Sequence, residues 1–257
     1  MLAPEFLHVL VPLGSLTPDG AFAAIGAGVL IEHAGFDWLI TLQSVRSAAA
    51  ESGPLVALGS ASDGEQFSLD LDEVLRQHGL GWVEDPAAEE LVAAPIPLSS
   101  TWQFRSAPQS LTIAGEQIAT SSACYTVGAA YGLGPLDPGR GPSILTLDGI
   151  VAASDPHAGE IYFTASTLPG WQGGPLFVEA AQAGGRSGMT DTRVSLLAGI
   201  MLEDVRVGAQ LAPEGEPSDH GSAVRLGRAR SIDAAFGLLR TAAGAEMARR
   251  TQQIARR

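Results

Sequence analysis

The chain has 257 residues, 46% hydrophobic and 17% charged, which suffices to bury a full core in one large β domain or two small ones. Its formal charge of −13 argues against nucleic acid and anionic lipid as partners, because both demand a cationic surface. All 15 basic residues are arginine, so a Ser/Lys dyad, a Schiff-base lysine and a Walker A phosphate loop are excluded.

Thirty-one Gly, sixteen Pro and many short apolar runs favour strands and turns over helical bundles. Residues 6–11 and 22–31 read as opening strands, with a Pro18-Asp19-Gly20 turn between them. A further short strand is expected over 36–41. The Ala-rich stretch 44–51 suits a helical turn. Strands over 55–58 and 67–71 follow, then a short helix over 72–78. The Pro-punctuated stretch 95–108 reads as a linker, and residues 111–115 as the strand that opens a second unit. Residues 133–142, 181–191 and 213–220 are turn-rich loops.

From Ser231 the pattern changes. Ile232, Phe236, Leu239, Ala243 and Met247 recur at spacings of three and four, giving one apolar helical face. Ser231 suits the N-cap and Asp233 the first turn. Arg249, Arg250, Arg256 and Arg257 suit the negative C-terminal end, facing either solvent or a partner.

The segment Gly170-Trp171-Gln172-Gly173-Gly174-Pro175-Leu176 resembles the nucleophile loop G-x-S-G-G-P-[LV] of trypsin-like serine proteases, with glutamine in the serine position. Other pieces appear in the same order. Gly26-Ala27-Gly28-Val29-Leu30-Ile31 is similar to that family's G-[TS]-G-[FV]-[LV]-[IV] strand. Trp38-Leu39-Ile40-Thr41-Leu42-Gln43-Ser44-Val45 is similar to its histidine element, with Ser44 at the histidine position. Glu90-Leu91-Val92-Ala93 is similar to the aspartate element, with Glu90 in the acidic place. Tyr125-Thr126-Val127-Gly128, Gly149-Ile150-Val151 and Leu197-Ala198-Gly199-Ile200 resemble second-barrel strands of the bacterial branch, so the likeness covers about residues 5–240.

The resemblance implies an all-β fold: two six-stranded antiparallel β-barrels and a closing C-terminal α-helix. On that template the first barrel takes residues 1–98, the linker 99–110, the second barrel 111–230 and the helix 231–257. It also implies that three linked roles meet in one cleft: an attacking hydroxyl, an imidazole base and an orienting carboxylate. Gln172 cannot attack, and Ser44 has no useful basicity near neutral pH. Glu90 has no imidazole to orient at the expected place. Gly170 and Gln172 stand where the family's oxyanion hole takes its backbone N–H groups. The Gln172 side chain then either accepts from those amides or points into the cleft. Trp171 beside it is either a binding anchor at the cleft rim or a packing residue.

The other candidates are weaker. Cys124 is the lone cysteine, so no intrachain disulfide forms; in a strand-like setting it reads as a buried thiol rather than a nucleophile. His8, His33, His78, His157 and His220 sit in strand, turn or inserted segments and offer no relocated triad. No metal-ligand spacing and no cofactor motif occurs. The start of the chain lacks a basic export-type region, and no apolar run reaches membrane-helix length, so a soluble, cytoplasmic protein is expected. The resulting expectation is an inactive protease homologue that binds a protein or peptide, as a subunit of a bacterial multi-protein system. The alternatives are an atypical serine hydrolase with Ser44 as nucleophile, and a purely structural subunit contacting its partner through the arginine-tipped helix.

Overall fold

The computed structural model describes residues 4–85, 90–130, 143–165, 167–181, 193–207 and 224–255. The expected loops at 133–142 and 213–220 lie outside those residues, as do His220, Arg256, Arg257 and nearly all of the loop at 181–191.

The first apolar run does not begin as a strand. Pro4–Val9 forms a 3₁₀ turn, in which side chains three apart eclipse. Phe6 and Val9 are therefore both buried, and Phe6 packs on Phe177 with ring centroids 5.1 Å apart. Strand β1 (Leu10–Leu16) then leads through the predicted turn to β2 (Phe22–His33), β3 (Phe36–Leu42) and helix α1 (Gln43–Ser52). Strands β4 (Val56–Ser60) and β5 (Gln66–Asp70) precede helix α2 (Leu71–Gln77), which Asp70 caps by accepting from the Glu73 amide. Two further strands, β6 (Val83–Glu84) and β7 (Leu91–Pro95), complete the first unit.

These strands form one antiparallel sheet in the order β5-β4-β1-β2-β3-β7-β6. This corrects the expected first barrel, because the sheet has seven strands and among the described residues it does not close. The edge strand β6 is two residues long and pairs only Val83 with Ala93 and Glu84 with Val92. At the opposite edge Phe67 of β5 stacks on Trp102 and Phe104 from the linker, and Ala61 bridges to Trp102. Linker side chains thus cover an edge that would otherwise remain open.

The expected strand over 111–115 is also absent. Short 3₁₀ turns at Gln109–Leu111 and Gly115–Gln117 occupy that stretch, whose one β-bridge to the barrel among the described residues runs from Thr112 to Leu197. Strand pairing resumes with β8 (Ala123–Ala130), β9 (Ser143–Asp155) and β10 (Glu160–Phe163). Then come β11 (Pro175–Ala181), β12 (Arg193–Val207) and β13 (Val224–Ser231). These six close into an antiparallel barrel in the order β10-β13-β12-β11-β8-β9. The larger buried cluster runs from the sheet through Phe177, Leu197 and Ile200 of the barrel to Phe236 and Leu239 of the C-terminal region, so sheet and barrel share a core.

The C-terminal periodicity predicts one helix, and the chain makes two: α3 (Ile232–Arg240) and α4 (Ala242–Ala255). Ser231 caps α3 by accepting from the Asp233 amide. Thr241, in extended conformation, caps α4: its hydroxyl accepts from the Gly244 amide at 3.2 Å and donates to the Leu238 carbonyl at 2.7 Å. Gly244 lies so close to the end of α3 that a Cβ there would sit 2.4 Å from the Leu239 carbonyl oxygen. At the distal end Arg249 and Arg250 both pair with Glu246.

Alanine favours helix over glycine by about 1 kcal/mol, yet overpacking costs about 1–3 kcal/mol. Gly244→Ala is therefore expected to lower stability in urea denaturation. Gly237→Ala, where a Cβ would meet nothing within 4 Å, should raise it by about 0.5–1 kcal/mol.

Candidate functional site

The cleft begins where β3 hands over to α1. Val45 and Ala49, four residues apart, bury one face of that helix and leave Ser44 exposed. The Gln43 amide donates to the Glu90 carbonyl oxygen at 2.9 Å, tying the first turn of α1 to the residue just before β7. Arg46 turns away to pair with Glu84 and lies over the Trp82 ring, 5.3 Å from its centroid.

The segment resembling a nucleophile loop is fastened on both sides. The Gln172 carbonyl accepts from the Ala27 amide of β2 at 2.7 Å, and the buried Thr41 hydroxyl donates to the Ala27 carbonyl at 2.7 Å. On the barrel side Gly173 donates to the Met201 carbonyl, and Met201 donates back to Gly174, each at 2.8 Å. Gly173 has φ +86°, and a Cβ there would lie 2.1 Å from the Ala27 carbonyl oxygen. Only glycine meets both demands.

Ser44, Glu90 and Gln172 line one cleft of about 520 Å³ together with Gln43, Glu203 and Arg228. Its apolar wall consists of Ile25, Leu42, Val45, Ala48 and Leu202. Residues 128 positions apart in the chain are thus brought into one concavity. Among the described residues no histidine or cysteine lines it.

Glu90 is already occupied. Arg230 grips it with Nε at 2.9 Å and with a second, shorter contact from Nη2, while Arg228 Nη2 approaches its other oxygen at 3.5 Å. Both arginines also reach Glu160 of β10, at 3.1 Å and 3.7 Å, and Arg228 reaches Glu203 at 3.3 Å. Two acceptor or donor atoms at the cleft have no hydrogen-bond partner among the described residues: Gln43 Oε1 and Arg228 Nε, both buried. The backbone N–H groups of Gly170 and Gln172 have no partner among those residues either, and neither bonds to the Gln172 side chain.

Trp171 does not stand at the cleft rim. Its side chain is fully buried in the barrel, with the indole N–H donating to the Ala129 carbonyl at 3.1 Å. Its ring occupies the space beside Gly128, where a Cβ would lie 2.2 Å from it. A side chain so enclosed has no surface to offer a partner, and Trp171 is corrected to a core residue.

The described histidines are dispersed. His8 lies in the opening 3₁₀ turn, and His33 ends β2 against Phe236 at 5.8 Å. His78 caps α2, and His157 sits in a turn held by the Asp155 carboxylate. Among the described residues no group of three or more His, Cys, Asp or Glu is arranged to hold a metal ion, and no helix is long and apolar enough to cross a membrane.

Cys124 is buried, and burial, with Asp148 nearby, pushes its thiol up to about 12. The hydrogen bond from Tyr125 to Glu179, 2.5 Å long, together with burial pushes the Tyr125 phenol up to about 12 as well.

Arg228, Glu203 and Gln43 are the cleft residues that motif reading missed, together with Arg230, which grips Glu90 beside them. Arg228 and Arg230 alternate along β13, which places both on one face, but their partner Glu90 is some 140 residues away.

No protein-family model matches the chain, and no curated protein sequence matches it. Among solved structures it is similar to a chain from work on how aromatic interactions drive the coupled folding and binding of the intrinsically disordered Sesbania mosaic virus VPg protein. The identity is 16%, over 89% of this chain and 87% of that one, with a TM-score of 0.46. A likeness at that level carries no argument about activity.

The neutral thiol and phenol contribute stability that is fully present below the ordinary thiol value of 9.0 and is lost as pH rises toward 12, because the unfolded chain then releases protons that the native chain retains. The urea midpoint is expected to fall progressively above pH 9. At pH 8 Cys124 should stay unmodified by a disulfide reagent until the protein unfolds.

Proposed function

We propose that the chain is a non-catalytic relative of trypsin-like serine proteases that uses the substituted cleft to hold an extended peptide or protein segment. The observation that carries this is the meeting of Ser44, Glu90 and Gln172 in one cleft that no imidazole of the described residues lines. Attack on a carbonyl by a serine requires a base within hydrogen-bond reach of its hydroxyl. At the position resembling the histidine this chain has Ser44, and the cleft carboxylate of Glu90 is committed to two guanidinium groups.

Binding is supported by the same groups. A cleft of this volume falls within the range of about 300–1,000 Å³ that takes a compact ligand or a few side chains. The apolar wall supplies contact area, and Gln43 Oε1 with the Gln172 amide supplies polar atoms that a peptide backbone can pair. A buried polar atom left unpaired costs about 1–3 kcal/mol, which a bound main chain recovers.

The test is a displayed peptide library run alongside cleavage of a free one read by mass spectrometry, with a fluorophosphonate probe for reactive serines. Wild type should neither cleave nor label, should retain a set of peptides, and should lose them at least ~10-fold on Ser44→Trp, which fills the cleft from an exposed helix position. Cleavage or labelling abolished by Ser44→Ala would overturn the proposal in favour of an unusual hydrolase. Retention of no peptide at all would leave neither activity for the cleft and refute binding.

A further inference from the structure

Glu90 joins the two halves of the protein, and its surroundings are built for that task. It precedes β7 of the sheet, whereas Arg228 and Arg230 stand on β13 of the barrel. Its carbonyl oxygen also accepts from Gln43, so one residue touches α1, the sheet and the barrel strand. We propose that Glu90, Arg228, Arg230 and Glu160 form an electrostatic latch across the cleft, and that its release opens the cleft between α1 and the barrel wall of Leu202 and Arg228.

The charge arithmetic fits a latch. Arg228 and Arg230 have side chains 21% and 22% exposed, and face Glu90 at 34% and Glu160 at 14%, so two cations meet two anions in a partly enclosed cluster. Such a group is neutral while complete, but removing one member leaves its partner uncompensated away from bulk water. Arg230 holds one Glu90 oxygen through two of its nitrogens, while Arg228 approaches the other oxygen. Arg230 is itself anchored by donation to the Ala158 carbonyl at 2.6 Å, and Glu160 accepts from the Tyr162 hydroxyl. Glu203, 68% exposed, reaches Arg228 only from the solvent side and is the dispensable arm.

A further tie between the sheet and the loop beside the cleft, from Ala27 to the Gln172 carbonyl, is made of backbone atoms and is unaffected by charge, as is the shared apolar core. The latch is therefore the connection that a salt or a charge substitution can release selectively. This goes beyond the binding reading and does not depend on it, since an empty cleft also has an opening equilibrium.

The experiment places a probe thiol at Gln172→Cys, with buried Cys124 as a silent background, and follows the rate of modification by a bulky maleimide. Adding Glu90→Gln should speed labelling about tenfold, as expected for loss of coupling within a charged network. The exchange Glu90→Arg with Arg230→Glu should restore the slow rate, and Glu203→Gln should leave it within about twofold. If a latch variant fails to fold, the Gln172→Cys protein alone carries the test: labelling should accelerate severalfold between ~0.05 M and ~1 M NaCl. A rate unchanged by Glu90→Gln in a folded protein, or flat against salt, overturns the latch. Peptide retention measured on the same variants separates this failure from failure of the binding proposal.

Discussion

The approach of the Gln172–Gly174 backbone to β2 is the constraint on which the rest of the structure depends. Gly173 sits where a single methyl group would collide with the Ala27 carbonyl, and its amide is spent on Met201 of the barrel. The same few atoms therefore pin the loop to the sheet on one side and to the barrel on the other. Thr41, fully buried, adds a hydroxyl to the Ala27 carbonyl and so satisfies an acceptor enclosed at the junction. With the loop fixed there, Gln172 and α1 must face each other, and the cleft is the space left between them.

Around that junction polar and charged side chains gather in the cleft. Ser44 and Gln172 place polar side chains in the concavity, and among the described residues no imidazole lines it. Glu90 spends its carboxylate on two arginines of β13, which ties the residue before β7 to the barrel. Trp171, next to Gln172, illustrates a different division of labour: adjacent residues of one tight loop point one into the cleft and one into the barrel core.

Much of the fold was legible locally. The Ala-rich stretch after β3 marked α1 almost to its ends, the residues after Asp70 marked α2, and the Ser231 cap marked the start of α3. Errors arose where local signal and tertiary demand diverged. The apolar run at residues 6–11 has strand composition, yet its first part coils so that Phe6 can meet Phe177. The residues 111–115 alternate like a strand but make only one bridge to the barrel. The spacing of apolar residues ran unbroken through Thr241, and periodicity alone has no means of registering a cap that restarts the helix.

The sequence by itself determined the mostly β character, the positions of the two short helices α1 and α2, and the absence of imidazole and hydroxyl from the places where the resemblance requires them. These are properties of composition, period and local capping, which act over a few residues. Tertiary structure decided that the first unit forms a seven-stranded sheet that does not close among the described residues, that Trp171 is core, and that Glu90 belongs to Arg228 and Arg230. Those outcomes depend on which edge is covered, which side of a glycine turn faces inward, and which charges meet across some 140 residues of chain. Pairings of that kind are set by loop closure and shared burial, and no local pattern of residues encodes them.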